Sequence, residues 1–117
     1  MAIYENSIHL KGFIGNHAQV KNDSHGKEFV ILSLCTKSSY RNRQTDQLVT
    51  STDWHRLVAF GPLAELAKTL VKGDYVLTVG ELRSTKYPVP GGKKRRVWEI
   101  RVAGLEVLTR KETITPG

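Results

Sequence analysis

The sequence predicts one domain built mainly of β-strands, with a single short helix. Several short segments either alternate in hydrophobicity or are rich in branched and aromatic residues, which is typical of strands. Only one segment has apolar residues at helical spacing. The chain has 117 residues, which suits one domain with a hydrophobic core. We therefore expect an all-β architecture with one helix.

The first two predicted strands lie near the N-terminus. Residues 7–15 alternate until Gly12, which predicts a strand with a bend or bulge there. Residues 16–27 are polar and turn-like, so we expect a loop. Residues 28–36 form a short run of branched and aromatic residues, which fits a buried strand. Cys35 in this strand is expected to be a small buried side chain.

The third predicted strand and the helix follow a polar, basic loop at 38–48. Residues 49–60 alternate over their whole length. The residues expected on one of its faces are Trp54, Arg56, Val58 and Phe60. Residues 62–72 carry a single apolar stripe, with Pro62 suited to the first helical position and Gly73 to the end of the helix.

The last two predicted strands are 75–83 and 96–103, separated by a loop at 84–95 that contains two prolines and two glycines. Trp98 is in phase with the apolar residues of its strand, so we assign it to the core or to an interface.

Three strands, one helix and two further strands are the arrangement of the OB-fold, a partly open, five-stranded Greek-key barrel. An SH3-like barrel or a split sandwich has similar strand spacing. The helix between strands three and four favours the OB-fold. We expect the OB domain to occupy residues 1–110 and residues 111–117 to form a short flexible tail.

The composition excludes several classes of protein. Hydrophobic residues make up 39% and charged residues 25%, which argues against global disorder. The apolar runs are too short to cross a bilayer. A single cysteine excludes an internal disulfide framework and a multi-cysteine zinc site. The first ten residues lack the pattern of a signal peptide, so we expect a cytoplasmic protein.

Positive charge is concentrated in two stretches without acidic residues, 29–45 and 82–98. Lysine and arginine number 18 against 11 acidic residues, a net charge of +7. Such clustering is expected for a surface that follows a phosphate backbone, although a solvated loop tip is a simpler explanation for 93–96 alone. The candidate phosphate contacts are Lys37, Arg41, Arg43, Arg56, Arg83, Lys86, Lys93, Lys94, Arg95 and Arg96.

Four aromatic residues lie among these cations. Tyr40 is in the first basic stretch, Trp54 and Phe60 share a predicted strand face with Arg56, and Tyr87 is in the second basic stretch. Rings stack on any base while cations follow the phosphates, so the pattern predicts sequence-tolerant binding of single-stranded nucleic acid. Taken singly, Trp54 also fits a core position, and Phe60 fits an anchor for the helix.

Residues 52–87 read TDWHRLVAFGPLAELAKTLVKGDYVLTVGELRSTKY and closely resemble the bacterial single-stranded DNA-binding proteins. The similarity extends back through HLKGFIGNHAQVK and forward to AGLEVL. It implies an OB-fold, roles in DNA replication, repair and recombination, and association with the nucleoid. The residues that it implies stack on DNA are Tyr40, Trp54, Phe60 and Tyr87. Two of these positions are often tryptophan in the family, so tyrosine here predicts less stacked area per base.

The resemblance also implies a homotetramer, with a dimer as the alternative, and subunit contacts near strand edges and His55. The family usually continues through a flexible linker to an acidic tip that recruits replication and repair proteins. This sequence stops at ETITPG, which fits either a short form or a truncated DNA-binding core. Recruitment through a tail is therefore not carried over.

Two other functions fit parts of the sequence. Asp53 and His55 lie on one predicted strand face and suggest an acid–base pair, but no phosphate loop, nucleophile elbow or His-x-x-x-His pair accompanies them. We therefore expect no enzymatic activity, no metal and no cofactor. The second alternative is an OB-fold that binds RNA or serves as a primosome-type accessory protein. Such relatives tend to lose the stacking aromatics, which this sequence keeps at all four positions.

Overall fold

The computed structural model describes residues 3–111, which form a closed β-barrel with one short helix. The strands are β1 (Ile8–Ile14), β2 (Gln19–Asn22), β3 (Glu28–Arg41), β4 (Leu48–Phe60), β5 (Tyr75–Pro88) and β6 (Lys94–Thr109), and the helix α1 is Pro62–Ala67. The strand order is β1-β5-β6-β4-β3-β2, and β1 also pairs with β3. Five strands thus close the barrel, with the helix between the third and fourth of them, as the sequence predicts.

The barrel consists of two antiparallel halves joined by two short seams. One half contains β1, β5 and β6, and the other contains β2, β3 and β4. At one seam β1 meets β3 through two residue pairs, Phe13–Cys35 and Ile14–Leu34. At the other seam β4 runs parallel to β6 and also pairs through only two residues of each strand.

The interior is filled by aliphatic side chains from alternate positions of the strands. Leu32 of β3 pairs with Leu57 of β4, Leu34 lies on the same face of β3, and all three are fully buried. Burying each such leucine stabilises the fold by about 1.5–3 kcal/mol. Ala64 and Ala67 of α1 join the same core, so the helix covers one end of the barrel.

The helix is shorter than the predicted 62–72. It starts at Pro62 as expected but ends at Ala67, and Thr69 and Leu70 then donate to carbonyls three residues earlier. The carboxylate of Asp74 accepts the amide of Val71 at 3.0 Å and so holds this last turn in a tighter form. The apolar stripe is still used, because Leu70 remains buried after the helix has ended.

The predicted loop at 16–27 contains a strand, β2, that hydrophobicity could not show. Its four residues are all exposed, and they are held by backbone pairing to the edge of β3. The turn after β2 is closed by Asp23, whose carboxylate accepts the amides of Lys27 and His25 at 2.8 and 2.9 Å.

The two predicted basic loops are mostly strands as well. β3 and β4 continue to Arg41 and from Leu48, so only residues 42–47 form the tip. β5 and β6 continue to Pro88 and from Lys94, leaving 89–93 as the second tip. The pairs in these extensions are largely polar, which is why the sequence pattern reads as loop. We call these extensions the β3–β4 arm (37–53) and the β5–β6 arm (83–97).

Gly12 allows β1 to approach β3 closely and does not form the bulge that the sequence predicted. The register of β1 on β5 is unbroken through Gly12. A Cβ at this position would lie 2.0 Å from the carbonyl oxygen of Cys35, so only glycine lets β1 approach β3 this closely.

The described part of the chain ends two residues after β6, at Lys111. Of the tail predicted at 111–117, only Lys111 is among the described residues, and its amide donates to Asp74 at 2.8 Å. Within residues 3–111, the lone helix is far too short to cross a membrane.

Candidate nucleic-acid interface

Phe60 lies on the outer surface of the barrel and does not face the core. It pairs with Phe29 across β3 and β4, and their rings stack with centroids 5.4 Å apart. On the other side, the guanidinium carbon of Arg101 lies 4.9 Å from the centroid of the Phe60 ring. This arrangement presents an aromatic surface flanked by a cation, which suits a stacked base next to its phosphate.

Tyr87 is held beside this surface by a buried acid, Glu99. The phenol donates to both carboxylate oxygens of Glu99 at 2.9 Å. Arg56 donates to Glu99 at 3.1 Å, and its guanidinium carbon lies 5.2 Å from the centroid of the Tyr87 ring. Glu99 is only 4% exposed, so these bonds replace the water it has lost. The three side chains form one rigid cluster.

The cluster changes the titration of its members. Burial raises the pKa of the Tyr87 phenol above its ordinary value; Arg56 opposes this and the bond to Glu99 adds to it. For Arg56, burial works to lower the pKa, but the bonds to Glu99 and Tyr87 outweigh it and raise the pKa. Tyr87 is therefore a neutral ring at physiological pH, and Arg56 a cation already paired with a carboxylate.

A groove runs across these residues from β2 to the base of the β5–β6 arm. A depression of about 280 Å³ is lined by Phe29, Phe60, Tyr87 and Arg101. A second, of about 430 Å³, shares Phe29 and Tyr87 with the first and extends past Arg56 to β2. The β2 side chains on its rim are Gln19, Lys21 and Asn22. We call the two depressions together the outer groove.

Trp54 lies on the same outer side of the β3–β4 pair as Phe60. It pairs with Cys35, and 61% of its surface is exposed. A Cβ on Gly15 would be 2.1 Å from the indole, so the ring rests on the backbone at Gly15. Trp54 is therefore an exposed platform and not a core residue. Cys35 beside it is half-buried and not fully buried as predicted, because it points to the outer side as well.

Tyr40 is not brought together with the other three aromatic residues. The pairing of β3 with β4 has no register shift, so side chains alternate strictly between its two faces. Cys35 and Trp54 share one face of this pair, whereas Tyr40 and its partner Val49 lie on the other, out on the arm. Tyr40 is 58% exposed there.

The predicted phosphate contacts fall into three groups. Three have partners within the chain: Arg56 bonds to Glu99, Arg41 to Asp46 at 3.4 Å, and Arg83 to Glu81 at 3.1 Å. Arg96 donates to the Ser84 hydroxyl. The others are exposed on the arms or their tips: Lys37, Arg43, Lys86, Lys93, Lys94 and Arg95.

Among the residues that line the outer groove, sequence patterns did not single out Lys21, Phe29, Glu99 and Arg101. For two of them the signal was alternation along the strand. Glu99 and Arg101 alternate with Trp98 and Ile100, so they fall on the face opposite to the apolar one. Phe29 has the pattern of a core residue because its strand is apolar on both faces, and it is only 8% exposed.

Trp98 is not a core residue, because 61% of its surface is exposed. It keeps the phase of the core residues Ile100 and Val102, but it lies beyond the end of the barrel, where this face of β6 has no opposing layer. The sequence predicted Trp98 either in the core or at an interface, and the core location is wrong.

The sequence profile of the single-strand binding protein family matches residues 5–108. The chain belongs to the single-strand binding protein family. Membership confirms the family, the OB-fold and the general single-stranded DNA-binding function that the sequence predicts, and it makes the chain a binding protein rather than an enzyme. Replication and repair of DNA are the general roles of this family.

Three solved structures are similar to this chain in fold. The Plasmodium falciparum protein, solved in complex with single-stranded DNA, has a TM-score of 0.78 and 29% identity, covering 92% of this chain and 98% of that one. A deletion mutant of the single-stranded DNA binding protein from Thermus aquaticus has a TM-score of 0.73 and 21% identity, and the match covers 89% of this chain and 50% of the other. A small single-stranded DNA-binding protein from Streptomyces coelicolor has a TM-score of 0.65 and 21% identity, covering 90% and 95%.

Of the two residues that suggested an acid–base pair, only His55 has a side-chain hydrogen bond among the described residues. Nε2 of His55 hydrogen-bonds to the hydroxyl of Thr36 at 2.9 Å, across the strand pair. Asp53 is exposed. Among residues 3–111, no group of histidine, cysteine or acidic side chains is arranged to hold a metal ion.

Proposed function

We propose that this chain binds single-stranded DNA in the outer groove and on the surface beside it, with bases stacked on Phe60 and Tyr87 in the groove and on Trp54 next to it. The observation that carries the proposal is the stack of Phe29, Phe60 and Arg101 beside the Tyr87–Glu99–Arg56 cluster. It combines aromatic surface with cations in one groove, which is the chemistry that binds unpaired bases and their phosphates.

Arg101 and Lys21 are the groove cations best placed for phosphates, since Arg56 is occupied by Glu99. Lys37 extends the positive surface along the arm beyond Trp54, because it lies on the same face of β3. The exposed cations of both arms and Tyr40 contact DNA that continues outward from the groove. Because stacking and phosphate contacts do not read base edges, binding is tolerant of sequence.

The protein acts as a homo-oligomer in this proposal, a tetramer by family resemblance or else a dimer, and it associates with the nucleoid. Support comes from large apolar side chains outside the groove that remain exposed. Phe13 on β1 is one of them, and its ring packs on Tyr75 with centroids 4.7 Å apart. Light scattering measures the mass directly, and a monomer at all concentrations contradicts this part.

The groove is tested by titrating labelled oligomers of single-stranded DNA, duplex DNA and RNA at two salt concentrations. We expect the tightest binding to single-stranded DNA, with affinity falling as salt rises. Equal or better binding to duplex, or affinity independent of salt, contradicts the proposal. Tighter binding to RNA favours the RNA-binding alternative.

The stacking residues are tested by alanine variants at Trp54, Phe60, Tyr87 and Tyr40. We expect affinity to fall about 5- to 150-fold for each residue that stacks a base, because a stacked base contributes about 1–3 kcal/mol. The matched control is Val71→Ala, which truncates an exposed apolar residue that does not line the outer groove. Unchanged affinity for Phe60→Ala or Tyr87→Ala places the binding site elsewhere.

A further inference from the structure

The β5–β6 arm has two faces, and the outer groove uses only one of them. Residues that pair across antiparallel strands share a face. Tyr87, Glu99 and Arg101 lie on the groove side, together with their partners in the arm. The opposite side, which we call the reverse face, contains Leu82, Ser84, Lys86, Lys94, Arg96 and Trp98.

The reverse face combines an exposed aromatic ring with positive charge. Trp98 is 61% exposed and lies across from Ser84, with Lys86 and Arg96 forming the next pair outward and Lys94 beyond them. Between Leu82 and Pro88, and between Lys94 and Ile100, no residue on this face is acidic. The two acids of these strands near the arm, Glu81 and Glu99, lie on the groove side. Like the outer groove, the reverse face therefore places an aromatic ring next to cations.

The reverse face is also continuous with Trp54. Past their two paired positions β4 and β6 diverge, and they leave a depression of about 190 Å³ between them. Trp54 lines this depression from β4, while Trp98 and Leu82 line it from the other half of the barrel. A strand of DNA that leaves the outer groove at Trp54 therefore meets Trp98 next.

We infer that Trp98, with Lys86, Lys94 and Arg96, forms a second segment of the single-stranded DNA site, on the reverse face of the β5–β6 arm. The inference rests on the proposed function and extends it: DNA passes the base of the arm and contacts both of its sides. Trp98 stacks an additional base, and the three cations contact the phosphates that follow.

Charge favours DNA over a second copy of the chain as the occupant. A twofold interface brings the same patch of both subunits together. On the reverse face that places three cations opposite three cations, and like charges at close range oppose association. A polyanion instead meets complementary charge.

Fluorescence tests the contact directly, because the chain contains only two tryptophans. Trp54→Phe keeps an aromatic ring at position 54 and leaves Trp98 as the sole indole. We expect its emission to be quenched when long single-stranded DNA is added and to change little with oligomers too short to leave the groove. The matched variant is Trp98→Phe, in which Trp54 is the reporter and is quenched by short and long oligomers alike.

Affinity provides the second readout, over oligomers from about 4 nucleotides to well beyond the 16 that an OB-fold covers. We expect Trp98→Ala to bind short oligomers like the wild type and long ones about 5- to 150-fold more weakly. Trp98→Phe should restore most of the loss. Leu108→Ala, which truncates another exposed apolar residue of β6, is the control and should change neither.

Two results overturn the inference. One is Trp98 emission that DNA of any length leaves unchanged. The other is a lower mass in light scattering for Trp98→Ala, which assigns the residue to a subunit contact. If the wild type itself fails to bind single-stranded DNA, the proposed function fails with it. If the wild type binds and Trp98 is unresponsive, only the second segment is wrong.

Discussion

At the scale of single residues, the unusual feature is a carboxylate within a surface proposed to bind a polyanion. Glu99 is nearly buried and accepts hydrogen bonds from Tyr87 and Arg56. It orients the Tyr87 ring along the groove and prevents Arg56 from turning toward solvent. Its effect on binding is therefore mixed, since it positions a stacking ring while it neutralises a cation.

The substitution Glu99→Gln should separate these two effects. A neutral amide in place of the carboxylate loses the charge-assisted bonds, so we expect the free energy of unfolding to fall by about 1–3 kcal/mol. Arg56 then becomes available to a phosphate, and the slope of log affinity against log salt should steepen by about 0.7. Denaturant titration and salt-dependent binding measure the two quantities. Glu106→Gln makes the same charge change at an exposed site on β6, and an identical response there contradicts the prediction.

At the scale of elements, the barrel depends on strands that approach more closely than side chains allow. Gly12 brings β1 against the Cys35 carbonyl. Gly80 of β5 lies beside a bulge in β6, and a Cβ there would be 2.3 Å from the carbonyl oxygen of Arg101. In both cases the nearest obstructing atom is backbone, so rotation of a side chain gives no relief. The β1–β3 seam and the bulge thus have a strict requirement for glycine.

Alanine substitutions should therefore strongly lower the stability of the fold at these two glycines and change it little at a third. We expect Gly12→Ala and Gly80→Ala to destabilise the fold by about 1–3 kcal/mol or more, which lowers Tm by about 4–8 °C per kcal/mol. Gly104→Ala is the control on β6, because its Cβ would meet nothing nearer than 4.0 Å. Equal Tm values for Gly12→Ala and Gly104→Ala in thermal unfolding would show that β1 and β3 separate easily.

The turn between β2 and β3 should loosen in acid. The Lys27 amide is the main cause that lowers the pKa of Asp23 below its ordinary 3.8, with the His25 amide and nearby positive charge adding to it and desolvation opposing it. A carboxyl with a lowered pKa stabilises the fold above its unfolded value, and this stabilisation is lost as pH falls through the folded value. The protection factor of the Lys27 amide, which is its exchange rate corrected for the intrinsic dependence on pH, should therefore fall between about pH 5 and 2 as Asp23 is protonated, and NMR measures it. Asp23→Asn removes this pH dependence; if it persists there, another group is responsible.

At the scale of the whole molecule, many of the cations behind the net charge of +7 lie on the two arms. They occupy both faces of the β5–β6 arm as well as the β3–β4 arm. The consequence is a salt dependence that grows with the length of the DNA. Short oligomers reach only the groove cations, whereas long ones also reach the three of the reverse face.

We expect the slope of log affinity against log salt to be steeper by about 2 for long oligomers than for short ones, at about 0.7 for each of three added phosphate contacts. Titrations at four or more salt concentrations give both slopes. Lys86→Ala combined with Arg96→Ala should remove most of the difference without changing the slope for short oligomers. Equal slopes for both lengths contradict the length dependence.

The barrel was predictable from sequence because burial imposes a pattern on it. Apolar alternation marks β4, and the stripe and Pro62 mark α1. Elements held by backbone pairing alone leave no such pattern, so β2 and the outer parts of both arms read as loops. Trp98 alternates in phase with the core residues but is exposed, because the barrel ends before it. Where the barrel ends depends on where β4 and β6 diverge, which the sequence does not show.

The same limit applies to the candidate site. Aromatic and basic residues could be proposed one by one from their local surroundings. Arg56 has its acidic partner on another strand and Arg41 has its partner across a turn, which local sequence does not show; only Arg83 pairs with a neighbour on its own strand, Glu81. The separation of Tyr40 from Trp54 depends on the strand register as well. Which cations are available to a ligand is therefore a property of the fold and not of composition.

The two short seams give the barrel a further property. Phe29 and Phe60 belong to one half, whereas Tyr87 and Arg101 belong to the other, so the outer groove crosses the line where β4 meets β6 through two residue pairs. DNA bound in the groove as we propose contacts both halves at once and so holds them together. Amide protons of Val58, Ile100 and Arg101 should then exchange with solvent more slowly in the complex than in the free protein, by more than those at the centre of β5, where pairing is continuous.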